Sequence, residues 1–225
     1  MASRFGIVVA VLTLLTTGVA AAQPRLVAPD EVVIHLHPSL KDGDFVEGLV
    51  CELGRVLVAP VRATTVDLPL TRDLLATASQ FDAEKVNHLF ARATDEESGR
   101  PFRYLILPYD LKVPGLNYVF ANTPDDGGTT AVMSIIRLVP TEPDLSRKRT
   151  SDITGDRLYK LMLKSVAFLA GLRTGGCIMA FPRTLTELDV KSAEFCPGDR
   201  AALIAAGVLK ARPFGACNTV AMVGR

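Results

Sequence analysis

The chain has three histidines and four cysteines, the residue types that most often bind zinc in proteins. His35 and His37 stand two apart in a β-branched run, so on a strand they would point to the same face. A metal site there needs a third ligand, and polar side chains at a sheet edge are the simpler interpretation. His88 falls between the apolar positions of a predicted helix, and we expect it to be exposed. No two histidines have the i, i+4 spacing of a zinc-binding helix.

A second pattern lies further along the chain, where an apolar helix runs through Lys164 and Phe168 to Gly171. Apolar residues lie on most sides of this helix, as expected of a helix in the core. After the glycine come a Cys-Ile-Met turn at Cys177, a short helix and a Cys-Pro-Gly-Asp sequence at Cys196. The order of helix, glycine stop and Met-containing turn is typical of an active-site framework.

Hydrophobic periodicity predicts the elements that must position these residues. We expect strands at 32–37, 58–66, 102–107 and 129–138, an extended segment at 110–120, and helices at 44–57, from 80, 157–171, 184–189 and 197–206. Asp82 is the expected N-cap of the second helix, and Thr184 with Glu187 forms a capping-box signature.

The N-terminus has the pattern of an export signal. Arg4 supplies a positive charge, Gly6 to Val19 is apolar, and Ala20-Ala21-Ala22 offers a cleavage site of small residues. The apolar stretch is shorter than the ~20 residues of a membrane span. We therefore predict a signal peptide at 1–22, a single domain at 23–225, no membrane span after cleavage, and a periplasmic or extracellular location.

Composition excludes some partners. With 48% hydrophobic residues and 22% charged residues the chain can bury a sizeable core, and its net charge of +1 gives no electrostatic case for binding nucleic acid. The even number of cysteines in an exported chain favours two disulfides, for which the sequence alone leaves three possible pairings.

From about Val32 to Ala205 the chain resembles the archaemetzincins, compact zinc peptidases of the metzincin clan. The segments that carry the resemblance are 80–83, 114–120, 131–134 with Arg137-Leu138, 171–173, 177–179 and 185–196. The resemblance implies an α+β, zincin-like fold with a mixed, twisted sheet of four to five strands. It also implies one antiparallel edge strand, packing of the sheet on the helices 44–57 and 157–171, and a Met turn at Met179.

The family's zinc motif is H-E-x-x-H-x-x-G-x-x-H, and only its glycine is present here, as Gly171. The first zinc histidine corresponds to Lys164, the catalytic glutamate to Ser165, the second histidine to Phe168 and the third to Thr174. An ammonium group has no lone pair and repels a dication, a phenyl ring cannot bind metal, and a serine is a poor general base. The resemblance therefore implies a chain without a zinc cofactor and without peptidase catalysis.

The family's second, structural zinc uses four cysteines, of which only Cys177 and Cys196 are matched. Gly175 and Asp199 stand where the other two are expected. Ligands of one metal site lie close enough to form a disulfide. The resemblance thus implies a Cys177–Cys196 bridge, which leaves Cys51 to pair with Cys217.

The leading interpretation is an exported archaemetzincin-like pseudopeptidase that binds an unidentified peptide or protein in the former substrate groove. Gly115, Leu116, Asn117 and Tyr118 are the expected groove residues, Phe168 is expected to fill the space of the lost zinc site, and Lys164 is a candidate cation for a ligand carboxylate. Two alternatives stay open. One is an active zinc peptidase with non-standard ligands such as His35, His37 or an acidic side chain, and the other is a structural, envelope-associated domain without a groove ligand.

Overall fold

The computed structural model describes residues 25–95, 99–125 and 127–217. The predicted signal peptide lies outside these residues. Within the described part of the chain, no helix combines the length and the apolar character needed to cross a membrane.

The described residues form seven strands: β1 Val32–Leu36, β2 Val61–Thr65, β3 Gln80–Asp82, β4 Phe102–Leu107, β5 Asp110–Lys112, β6 Ala121–Asn122 and β7 Thr130–Ser134. Five of them form a central sheet with the strand order β2-β1-β4-β7-β6. Strands β2, β1, β4 and β7 run parallel to their neighbours, and β6 pairs antiparallel with β7 at the edge. Strands β3 and β5 form a separate parallel pair. The predicted mixed sheet with one antiparallel edge strand is confirmed.

Helices cover both faces of the sheet. They are α1 Phe45–Val56, α2 Ala83–Ala93, α3 Arg147–Leu169, α4 Leu185–Val190 and α5 Pro197–Ala205. Helices α1 and α3 share one hydrophobic core with Ile34, Tyr104 and Met133, while α2 packs against Leu105 and Val132 on the opposite face. Because both faces are covered, every residue of β4 and β7 is buried, as expected of parallel strands.

The central helix begins at Arg147, and the prediction that it begins at Arg157 is wrong. Its first turns are polar and largely exposed, so they carry no apolar periodicity. Ser146 caps the helix by accepting a hydrogen bond from the backbone N–H of Arg149, and the Arg147 guanidinium pairs with Asp44 at the start of α1. Capping and an ion pair extend a helix where burial gives no signal.

Two further boundaries differ from the predictions. Residues 80–82, expected to open a helix, form β3, and the helix starts only after Asp82, whose side chain accepts the predicted capping bonds from Glu84 and Lys85. The predicted strand 129–138 ends at Ser134 because the chain then turns, with the backbone N–H of Leu138 bonded to the carbonyl of Ile135. Thr184 caps α4 as predicted, by accepting from the backbone N–H of Glu187.

Candidate binding cleft beside the central helix

A cleft of about 520 Å³ opens between the edge of the sheet and the C-terminal half of α3. Three stretches line it, namely most of residues 113–123, the side chains Leu161, Lys164, Ser165 and Phe168 of α3, and the loop 181–183. Of the predicted groove residues, Leu116, Asn117 and Tyr118 line this cleft. Gly115 is not among the lining residues, and it holds the adjacent turn with a left-handed φ of 81°.

The loop that carries Asn117 and Tyr118 is fixed from behind by polar contacts. The Gln80 side-chain amide donates to the Asn117 carbonyl at 2.8 Å and to Asp110 Oδ2 at 3.0 Å. The Arg137 guanidinium lies 4.1 Å from the centre of the Tyr118 ring and pairs with the same Asp110 carboxylate. These contacts give the wall of the cleft a defined position.

Strand β6 presents an open backbone edge to the cleft. The backbone N–H of Ser134 donates to the Phe120 carbonyl, and Ala121 and Asn122 stand opposite Met133 and Val132. In an antiparallel pair the hydrogen-bonded positions alternate, so Ala121 directs its N–H and C=O away from β7. That edge of the sheet has no further strand among the described residues.

Lys164, at the position of the family's first zinc histidine, is half-buried in the cleft wall. Its amine lies 3.4 Å from the Ala180 carbonyl and 5.2 Å from the centre of the Phe181 ring. Burial lowers the pKa of the amine below its usual range, because a charge is less stable out of water.

Ser165, at the glutamate position, is buried and bonded across the cleft floor. Its hydroxyl oxygen lies 2.6 Å from the hydroxyl oxygen of Thr123. Burial raises the pKa of the neighbouring Tyr104 hydroxyl, an effect that Ser165 opposes. Ser165 thus lies among neutral hydroxyl groups, and this position offers no carboxylate.

Phe168, at the second histidine position, lies half-exposed on the cleft wall and does not fill it completely. The Arg173 guanidinium is stacked 3.7 Å from the ring centre, donates to the Phe168 carbonyl at 2.6 Å and pairs with Asp125. The aromatic ring is therefore held in place by a cation from the segment that follows Gly171.

The segment after α3 is closed by a disulfide and a side-chain hydrogen bond. Cys177 and Cys196 form a disulfide, as the resemblance implies, and Cys51 is bridged to Cys217. The Thr174 hydroxyl donates to Asp199 Oδ2 at 2.9 Å. Met179 is buried in the same hydrophobic core as the apolar side chains of α3. We call Thr174, Cys177, Cys196 and Asp199 the corner.

The histidines are not brought to this site. His35 is buried on β1, with its ring 5.1 Å from that of Phe90 on the opposite side of the sheet. Burial, and after it the charges of Arg62 and Arg103, lower the pKa of His35 to about 4. His37 packs against Tyr109, and His88 is exposed on α2.

Several residues of the site carry no signal that reasoning from the sequence could use. Phe181, Pro182 and Arg183 follow the Met turn and line the cleft, although nothing in their spacing suggests it. Lys191, just after α4, does not line the cleft, and its buried Nζ has no hydrogen-bond partner among the described residues. Burial, followed by the charges of Lys164 and Lys160, lowers the pKa of this amine to about 7. Only the packing of α4 against α3 creates this environment.

The residues present do not fit a zinc ion. Lys164, Phe168 and Ser165 offer an ammonium, a phenyl ring and a hydroxyl already bonded to Thr123, whereas zinc requires about three imidazole, thiolate or carboxylate ligands. Both cysteines of the corner are oxidised. The described residues contain no cluster of three or more His, Cys, Asp or Glu side chains that could hold a metal.

The fold is that of the metzincin-type zinc peptidases. It matches the crystal structure of archaemetzincin from Methanopyrus kandleri with a TM-score of 0.62 and 20% identity, over 78% of this chain and 94% of that one. It matches the structure of a zinc-dependent peptidase from Methanocorpusculum labreanum with a TM-score of 0.63 and 22% identity, over 76% of this chain and 99% of that one.

The relatives found by sequence comparison are also archaemetzincins. The chain is 28% identical to archaemetzincin of Archaeoglobus fulgidus over 89 residues, which are 39% of this chain and 50% of the relative. It is 31% identical to archaemetzincin of Saccharolobus solfataricus over 124 residues, or 52% and 62% of the two chains. It spans about half the length of the first curated relatives that it matches, and no family model matches it. The chain is therefore similar in sequence to part of these archaemetzincins, and it has their fold.

Proposed function

We propose that this protein is an exported, catalytically inactive archaemetzincin homologue that binds a peptide or protein segment in the cleft. The carrying observation is a cleft of about 520 Å³ beside a helix on which Lys164, Ser165 and Phe168 stand at positions that the resemblance assigns to two zinc ligands and the catalytic base. Thr174, at the third ligand position, follows the helix. No cofactor is part of this proposal. Binding without catalysis requires only the walls of the site, and these are present.

The proposed mode of binding is strand addition. An extended peptide beside β6 would receive hydrogen bonds from Ala121, whose polar groups point to the open edge, and would place side chains among Leu116, Tyr118 and Phe168. Main-chain hydrogen bonds supply affinity in this mode, and the apolar walls supply selectivity. Two disulfides suit an oxidising compartment and support export.

The test begins with expression of the full chain in a Gram-negative host. We expect a periplasmic product whose intact mass matches that of a chain beginning at Gln23. The purified protein is then assayed for zinc and for cleavage of a fluorogenic peptide library with and without chelator, beside a known zinc peptidase. Stoichiometric zinc with chelator-sensitive cleavage would establish the alternative, an active peptidase with non-standard ligands.

Binding is measured by fluorescence anisotropy with a library of labelled hexapeptides. Ala121→Pro removes the outward N–H at an edge position where proline is tolerated, so we expect weaker binding with a similar thermal midpoint. Absence of binding by the wild-type protein would favour a structural domain without a groove ligand.

A further inference from the structure

We infer that the cleft recognises the free C-terminal carboxylate of a peptide that ends in a large apolar residue, with the Lys164 amine as the group that binds the carboxylate. This inference rests on the proposed function, because it assigns the chemistry of the ligand to the same cleft. It concerns the position at which this chain has an ammonium group in place of the family's histidine.

The charge of the cleft favours an anion. Lys164 and Arg183 are the charged residues among the described residues that line it, and both are cations. The Lys164 amine has three donors, and its hydrogen bond to the Ala180 carbonyl is a long one of 3.4 Å. No carboxylate among the described residues pairs with it. The amine therefore retains donors for a ligand.

Two further lysines, Lys160 one turn earlier on α3 and Lys191 just after α4, lie near Lys164. Lys160 is buried, pairs with Asp156 and donates to the Asp189 carbonyl at 3.0 Å. The Lys191 amine is buried without a hydrogen-bond partner, and Lys164 and Lys160 both repel its protonated form. A carboxylate that enters the cleft would reduce this repulsion, whereas a second cation would increase it.

The apolar walls favour a C-terminal residue over an internal aspartate or glutamate. Leu161 and Phe168 lie on α3 around Lys164, and Phe181 stands beside its amine. A C-terminal residue carries its carboxylate and an apolar side chain on one Cα, so the carboxylate can bind the Lys164 amine while the side chain packs against the apolar walls. The preceding backbone can then continue along β6, past Ala121.

The experiment compares two chemical forms of each probe. Fluorescein-labelled hexapeptides that end in Phe, Leu or Val are prepared as free acids and as C-terminal amides, and fluorescence anisotropy gives their dissociation constants. For the wild-type protein we expect the acids to bind at least about 10-fold more tightly than the amides, since the amide lacks the charge-assisted hydrogen bond.

Variants locate the effect. Lys164→Met should abolish the preference for the acid, Lys164→Arg should keep most of it, and Lys148→Met, which removes an exposed cation from the same helix, should leave it unchanged. Circular dichroism checks that each variant is folded. If Lys164→Met does not fold, the acid-to-amide ratio of the wild type and the Lys164→Arg result still decide the question.

The outcomes separate the two proposals. Equal affinity for acids and amides would overturn the carboxylate assignment and leave peptide binding in place. A preference for amidated peptides with an internal aspartate or glutamate would overturn the C-terminal assignment. If neither form binds, the proposed function fails, and this inference fails with it.

Discussion

The cleft and the corner differ in how their side chains are held. In the corner, the side chains are joined to each other by the Cys177–Cys196 disulfide and the Thr174–Asp199 hydrogen bond. In the cleft, Lys164 and Phe168 face open space and make few polar contacts with the protein. The corner is therefore built to hold the chain together, and the cleft is left able to bind.

The difference accords with our proposal that neither region holds zinc. A structural zinc supplies crosslinks, and a disulfide can supply them instead. A catalytic zinc supplies chemistry, for which Lys164, Ser165 and Phe168 offer no substitute. Substitutions in the corner should accordingly lower the stability of the protein and leave peptide binding unchanged. Substitutions in the cleft should weaken peptide binding and leave the stability unchanged.

The largest effect is expected from the double substitution Cys177→Ala with Cys196→Ala. Loss of a bridge with a sequence separation of 19 should lower the free energy of unfolding by about 3 kcal/mol, because the unfolded chain gains entropy. Urea denaturation measures this loss, and peptide anisotropy should show unchanged binding. If the double variant instead loses peptide binding and keeps the free energy of unfolding of the wild type, the roles given to the corner and the cleft are wrong.

A smaller effect of opposite sign is expected from Lys191→Met. This change removes a buried amine without a hydrogen-bond partner, so it should stabilise the protein by about 1–2 kcal/mol at or below neutral pH. The pKa of Lys191 is lowered from 10.5 to about 7 by burial first and then by Lys164 and Lys160. Between these values the unfolded chain binds the extra proton, so the wild type gains stability as pH rises.

Thermal unfolding of Lys191→Met and of the wild type should therefore differ most near pH 7 and below, and converge near pH 10.5. Lys148→Met, at an exposed ion pair, is the matched control and should change the midpoint little at any pH. A pH-independent difference between the wild type and Lys191→Met would contradict the role given to the buried amine.

The smallest effect is expected from Thr174→Val, which deletes the hydroxyl bonded to Asp199. The bond is exposed, so we expect a loss of about 0.5–1 kcal/mol in the free energy of unfolding. When Thr174→Val is combined with the cysteine double variant, the two losses in the free energy of unfolding should be non-additive if both bonds close the same corner. Full additivity would show that they act independently.

Much of the fold could be predicted because its local signals agree. Phe102–Leu107 has the mostly apolar composition of a buried strand, the helix that follows Asp44 has helical periodicity, and α2 combines that periodicity with the Asp82 cap. The start of α3 could not be predicted, since its first turns are stabilised by Ser146 and by the Arg147–Asp44 pair and not by burial. An ion pair between residues 103 apart leaves no local pattern.

Within the candidate site, the residue types at Lys164, Ser165 and Phe168, which are not those of a zinc peptidase, are readable from the sequence. The cleft itself is not, because Phe181 to Arg183 reach it only through the turn at Cys177–Met179 and the packing of α4 on α3. The hydrogen bond from Tyr118 to the Arg183 carbonyl, at 3.0 Å, joins the two walls.

The sequence by itself determined the ligand types that are missing, the number of cysteines available and the helices and strands with strong periodicity, since each is a matter of residue identity and local spacing. The tertiary structure alone decided that the Lys191 amine is buried and that Thr174 is hydrogen-bonded to Asp199. It also decided that the Lys164 cation lies in an apolar cleft at an open sheet edge. Burial and charge-charge distances arise when distant segments pack together, and no local pattern encodes them.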